Sequence, residues 1–137
     1  MVLCPIPWDV ADQLLQPLLD IREDKFDNKY VEAGPSPFLY KKFLIMLFNT
    51  SDNESIFHPS LAILEKNNLH NIVYRADEPL MSPKKKYEKL GKVNNVIFGS
   101  GLVEFKGIYF YYYGAADKVI AVATVSKEDM EKYLNSL

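Results

Sequence analysis

From Phe38 onward the chain is a succession of short runs of β-branched and aromatic residues, each closed by turn-forming residues. They are "FLIMLF" (43–48), "SLAIL" (60–64), "NIVYR" (71–75), "NVIF" (95–98), "LVEF" (102–105), "IYFYYY" (108–113) and "KVIAVATV" (118–125). Runs this short, with this composition, are strands rather than helices. "LVEF-KG-IYFYYY" has the form of a tight hairpin with Lys106-Gly107 as its two-residue turn, and "YKK" (40–42) joins two strands in a similar way. Between them, "NTSDNESIFHP" (49–59) reads as a polar loop. Many short strands and few helices predict an antiparallel, all-β architecture.

Only the C-terminal end is clearly helical. "SKEDMEKYLNSL" (126–137) opens with Ser126 and places Asp129 three residues on, the spacing of a capping box. Met130, Tyr133, Leu134 and Leu137 then make an apolar stripe suited to packing on a sheet. At the other end, "WDVADQLLQPLLD" (8–20) has apolar residues at helical spacing but Pro17 in its middle, so a short helix and an extended arm compete. A chain of 137 residues is one domain by default. Its expected parts are an arm or short helix (1–24), the strands (25–125) and the helix (126–137).

Charge and cysteine usage narrow the function classes. The net charge is −2, and only Arg22 and Arg75 among the 16 basic residues are arginines. That argues against nucleic acid as a partner and leaves few bidentate phosphate clamps. "KKK" (84–86), beside Glu88, reads as a solvated loop. The single cysteine, Cys4, excludes an intrachain disulfide; "MVLC" lacks the features of a secretion signal, and no apolar run has the length of a membrane span. A cytoplasmic protein is the expectation. His58 and His70 are isolated from Cys4 and from each other, so neither a metal nor another cofactor is expected.

One stretch fits neither a helix nor a central strand. In "FDNKYVEAGPSPFL" (26–39), Glu32 ends a short β-like run and is followed at once by "AGPSP". Taken alone, a glutamate at a strand end faces solvent. The following Gly34-Pro35 fixes the local backbone, however, and a fixed backbone can aim a carboxylate. Lys29 and Tyr30 flank it and can hydrogen-bond a sugar or an anion. Asp117, in "YYYGAAD", lies in a loop that joins two strongly apolar strands and is thereby held rigid; Tyr112 and Tyr113 precede it, and alternation sends them to opposite faces. Arg75 and Asp77, in "YRADEP", are near neighbours placed to pair with each other, and Glu78 is a weaker carboxylate candidate.

Taken in order, "DNKYVEAGPSP" (27–37), "LFNT" (47–50), "YRADEPLMSP" (74–83) and "YEKLGKVNNVIFGSGLVEFKGIYFYYYGAADKVIAVA" (87–123) resemble the C-terminal part of glycoside hydrolase family 130. That family contains β-mannoside phosphorylases and β-1,2-mannosidases with a five-bladed β-propeller fold, and the "KYVE-GP-P" form is closer to its hydrolase branch. The resemblance covers about residues 24–125. It implies a partial propeller, about three blades at roughly 40–50 residues each. It implies an inverting glycosidase acting on β-linked mannosides, with Glu32 as candidate base and with Lys29, Tyr30, Asn49, Arg75, Asp77, Tyr113 and Asp117 as substrate contacts. The family's aspartate general acid falls outside the matched part, so activity is expected to need a second copy or a completing partner chain. The alternative is a non-catalytic carbohydrate-binding or structural, oligomerising relative.

Overall fold

The computed structural model describes residues 17–137. Most of the helix considered over 8–20 lies outside these residues, and 17–20 are not helical. The elements in chain order are β1 (Tyr30–Ala33), β2 (Phe38–Tyr40), β3 (Phe43–Ser51), β4 (Phe57–Glu65), β5 (Asn68–Arg75), α1 (Lys86–Lys89), β6 (Ile97–Phe105), β7 (Ile108–Ala115), β8 (Val119–Ser126) and α2 (Lys127–Ser136). They form two antiparallel sheets among the described residues. The first has the order β1-β3-β4-β5, with β2 also paired to β3; the second has the order β6-β7-β8. The described residues are therefore mostly β with a C-terminal helix.

Burial explains why "FLIMLF" lacks alternation. Ile45 and Leu47 on one face of β3 join Leu61 and Ile63 of β4 in the core between the sheets, where they meet Ile97, Tyr111, Tyr113 and Ala115. Phe48 points the other way, into a second cluster with Ala62 and Leu64 that Leu19, Val31 and Ile72 cover. A strand covered on both faces needs apolar residues at successive positions. Each large side chain buried this way contributes about 1.5–3 kcal/mol before cavity terms.

The turn chemistry is as expected at two places. Lys106 (φ 51°) and Gly107 (φ 78°) connect β6 to β7, with Phe105 opposite Ile108, so both turn residues are left-handed as a two-residue hairpin loop requires. Lys41 (φ 53°) begins the turn between Tyr40 and Phe43. Two boundaries differ. "NVIF" and "LVEF" are one strand, β6, because Ser100 is accommodated as a bulge between Gly99 and Gly101. The supposed loop 49–59 is largely strand: β3 runs to Ser51 and β4 starts at Phe57. Pro59 is tolerated inside β4 because its carbonyl, accepting from the Leu80 amide at 2.9 Å, and hence its missing N–H lie on the side where β5 has already ended.

Ser126 caps α2 as predicted, its hydroxyl accepting from the Asp129 amide at 3.0 Å. Leu134 is buried in the inter-sheet core and Met130 packs against it, while Tyr133 and Leu137 stay partly exposed, at 38% and 42%. The Lys41 ammonium and the Tyr40 hydroxyl both donate to the Asn135 side chain, tying the end of the helix to the β2–β3 turn.

Candidate functional site

Glu32 stands exposed on β1, an edge strand of the first sheet among the described residues, and its carboxylate makes no hydrogen bond or ion pair to any of them. Register places it opposite Asn49, and two residues earlier Tyr30 opposite Ser51. Gly34 explains the break that follows: a Cβ there would lie 2.5 Å from the Leu47 carbonyl oxygen, so only glycine lets the chain pass this close to β3. Beyond it Pro35 is buried, and pairing to β3 resumes at β2.

Asn49 serves that edge from below. It is fully buried, and its amide nitrogen donates to the carbonyls of Ala33 (2.9 Å) and Gly99 (3.0 Å) while its amide oxygen accepts from the Gly99 N–H (2.7 Å). All these partners are backbone, and they rivet β1, β3 and β6 together beside Glu32, the residue opposite Asn49 in register. Gly99 must be glycine here, because a Cβ would fall 1.7 Å from the Tyr111 hydroxyl.

Lys29, Tyr30 and Phe57 form a column at one end of the sheets. The Lys29 ammonium lies 5.5 Å from the Tyr30 ring centre and donates to the Ser55 hydroxyl at 2.8 Å; Tyr30 stacks on Phe57 with centroids 6.2 Å apart. Asp117 is at the same end. Ala116 (φ 49°) and Asp117 (φ 50°) are consecutive left-handed residues in the β7–β8 turn, a conformation that costs such residues about 1–2 kcal/mol each. The surroundings hold that turn: the Ala116 amide donates to the Val96 carbonyl at 3.1 Å and its carbonyl accepts from Val93 at 3.3 Å. The exposed Asp117 carboxylate borders a concavity of about 300 Å³ lined also by Phe57, Val93, Val96 and Phe98. Phe57 thus links the column to the Asp117 concavity.

The other expected contacts go elsewhere. Arg75 and Asp77 do not pair. Both arginines of the chain converge instead on Asp27, whose side chain is fully buried. Arg22 Nε donates to the two Asp27 oxygens at 3.0 and 3.1 Å, and Arg75 makes a short charged hydrogen bond to Oδ2. Arg75 also reaches the Asp20 carbonyl and lies over the Phe48 ring; Arg22 reaches the Ala76 carbonyl and Asp77. Tyr113 is buried as well, and its hydroxyl donates to Glu88 Oε1 at 2.7 Å, while Tyr112 is exposed on the opposite face.

Glu88 is buried too, despite its place beside the lysine run. Its second oxygen accepts from the amides of Lys84 and Lys85, both at 2.7 Å, starting the short helix α1. Burial pushes the carboxyl upward, but these amides and the Tyr113 hydroxyl outweigh it and leave Glu88 below the ordinary glutamate range. Burial first, and then donation to Glu88, raises the Tyr113 phenol. A carboxyl depressed in the folded state stabilises above its unfolded pKa, and that stabilisation disappears as pH falls through the folded value. The thermal midpoint of the wild type should therefore fall more steeply than that of Glu88→Gln once pH drops below the ordinary 4.5. Parallel curves would show that the carboxylate contributes nothing.

Asp27 and Glu88 escaped the sequence reading, because an acid in a polar stretch carries no local sign that Arg75, 48 residues from Asp27, or Tyr113, 25 residues from Glu88, will meet it. His58, expected to be a polar strand or loop residue, is buried in β4, with Ser82 at 3.1 Å and Asp52 at 3.5 Å. Among the described residues no group of three His, Cys, Asp or Glu side chains is placed to hold a metal. No described helix is long and apolar enough to cross a membrane.

The described residues thus form two antiparallel sheets, with Glu32 exposed on an edge strand and Asp117 exposed in the β7–β8 turn. Residues 5–136 match the family model of glycoside hydrolase family 130, described as beta-1,4-mannooligosaccharide phosphorylase, and the chain belongs to that family. It is 33% identical over 99 residues to a beta-1,2-mannobiose phosphorylase of Thermoanaerobacter sp. (strain X514), covering 72% of this chain and 32% of that one. It is 32% identical over 116 residues to a beta-1,4-mannooligosaccharide phosphorylase of Ruminococcus albus, covering 81% and 35%. Among solved structures, the beta-1,2-mannobiose phosphorylase from Listeria innocua in complex with beta-1,2-mannobiose superposes with a TM-score of 0.80 at 25% identity, over 88% of this chain and 34% of that one. The chain thus spans about a third of the length of the relatives it matches.

Proposed function

We propose that this chain forms the base-bearing part of a β-mannoside-cleaving site, arranged as part of a propeller, with Glu32 activating the attacking water. The observation that carries this reading is the contrast between Glu32 and its surroundings. It is an unpartnered carboxylate on a strand edge whose backbone is fixed by Gly34, Pro35 and the buried Asn49 rivet. A general base needs this combination of a free carboxylate and a rigid support. Tyr30, Lys29 and the concavity beside Asp117 supply an adjoining surface for sugar rings and hydroxyls. Inversion needs a second carboxyl group to protonate the leaving oxygen; it would come from outside the residues described or from a further chain. Both arginines are committed to Asp27, which favours water over phosphate as the nucleophile.

The test is incubation with β-1,2- and β-1,4-mannobiose, with and without phosphate. Phosphate-independent turnover is expected, falling about 10²–10⁴-fold in Glu32→Gln with substrate binding retained. Retained turnover in that variant would remove Glu32 from the chemistry, and strict phosphate dependence would overturn the choice of water. A second reading, a non-catalytic carbohydrate-binding module, draws on the Tyr30–Phe57 stack and the exposed Asp117 beside Phe57. Binding of mannobiose by calorimetry without turnover would select it.

A further inference from the structure

Asp52 is a carboxylate that the proposed site does not use, yet it closes the turn on which part of that site is carried. It follows β3 directly. Its Oδ1 accepts from the amides of Glu54 at 3.0 Å and Ile56 at 2.9 Å, and its backbone carbonyl accepts from the Ser55 amide at 3.0 Å. Aspartates commonly close turns in this way, and one oxygen suffices for it. Here the second oxygen is engaged as well. Oδ2 faces His58 Nε2 at 3.5 Å, and the buried His58 ring has Ser82 Oγ at 3.1 Å from Nδ1. A carboxylate only accepts, so Nε2 presents its proton to Asp52, and in the neutral ring Nδ1 accepts from the Ser82 hydroxyl. The Asp52 side chain is thus held by its own turn on one side and by β4 on the other.

The turn carries two members of the column described above. Ser55, left-handed at φ 61°, receives the Lys29 ammonium at 2.8 Å, and the turn ends at Phe57, whose ring stacks on Tyr30. The Lys29 backbone is anchored separately, its amide donating to the Ser51 carbonyl at 3.0 Å. A free lysine loses rotamer freedom when it binds a ligand; one already held at its tip has lost that freedom beforehand. Ser55 takes one of the three ammonium donors, which leaves two for other acceptors. We infer that Asp52 is a positioning residue for the saccharide surface: by fixing the turn it places Ser55, and through Ser55 it holds the Lys29 ammonium ready for a sugar hydroxyl. The inference rests on the saccharide reading of this end of the sheets, and it adds to that reading a residue that touches no sugar itself.

The test uses Asp52→Ala, Asp52→Asn, Lys29→Met and the double variant Asp52→Ala/Lys29→Met. Without sugar, the Lys29 ammonium resonance in NMR should shift in Asp52→Ala. It should keep its wild-type position in Asp52→Asn, whose amide oxygen accepts from the same two N–H groups. Calorimetry with β-1,2-mannobiose should show affinity about tenfold weaker in Asp52→Ala and in Lys29→Met, about the worth of one hydrogen bond. Asp52→Asn should bind like the wild type, and the double variant no more weakly than either single one, because both act through the same ammonium. If Asp52→Ala does not fold, Ser55→Ala, at an exposed position in the turn, takes its place in the cycle with the same expected losses. Additive losses would show that Asp52 acts through the fold at large, and an unmoved ammonium resonance would break the chain at Ser55; either overturns the inference and leaves the saccharide reading standing. A wild type that binds no mannobiose overturns that reading and the positioning role together, whatever the resonance does.

Discussion

Asp27→Ala should lower the free energy of unfolding by about 3–5 kcal/mol, the range for breaking a buried ion pair from one side. The carboxylate has no exposed surface, and it is the shared anion of the only two arginines. Its loss would leave two guanidinium groups facing each other, with Arg75 still over Phe48 and Arg22 still held at the Ala76 carbonyl. Denaturant unfolding checks this, with Asp77→Ala as the comparison. Asp77 meets the same Arg22 at 3.0 Å, but its side chain is 67% exposed, so its removal should cost no more than about 1 kcal/mol. Equal costs at the two positions would mean that Arg22 and Arg75 find solvent easily, and the node would not be a structural centre.

Asn49→Ala should cost about 3 kcal/mol or more. The substitution strands a buried N–H at Gly99 and weakens two carbonyls, at Ala33 and Gly99, and each unpaired buried group costs about 1–3 kcal/mol. The effect should also be local: hydrogen exchange at the Gly99 amide should accelerate before exchange in the centre of β3. An alanine variant of unchanged stability that lost only sugar binding would return Asn49 to the role of a direct contact.

The two cases show which parts of the molecule could be read from residues alone. Strand identities were readable because β3, β7 and β8 are short, apolar and closed by turn residues whose conformations follow from local sterics; Lys106-Gly107 and the Ser126 cap depend on neighbours within three residues. The family was readable for a similar reason, since its motifs are contiguous. Strand extents were less so. The Ser100 bulge that fuses two runs into β6, and the pairing that carries β3 through "NTS", are set by partner strands rather than by the residues themselves. Within the site, sequence indicated an aimed Glu32 and an Asp117 in a tight loop. It could not separate them from Asn49, Arg75 and Tyr113, whose polar atoms are consumed by the backbone of Ala33 and Gly99, by Asp27 and by Glu88. A side chain's type says what it can bond; only the distant residues that the fold brings to it decide what it does bond.

The two prolines after Gly34 have a bearing on assembly. Pro35 and Pro37 lie between β1 and β2 on the free edge of the first sheet, where they present no N–H to an incoming strand. The opposite edge, β5, joins β4 through shifts of register on both sides of Leu64, so its hydrogen-bonding row is uneven. Neither border of this sheet offers a regular template for a foreign strand. The first sheet is thus protected against the indiscriminate edge growth that leads to fibrils, even though its strand β3 opens with six consecutive apolar residues, Phe43 to Phe48.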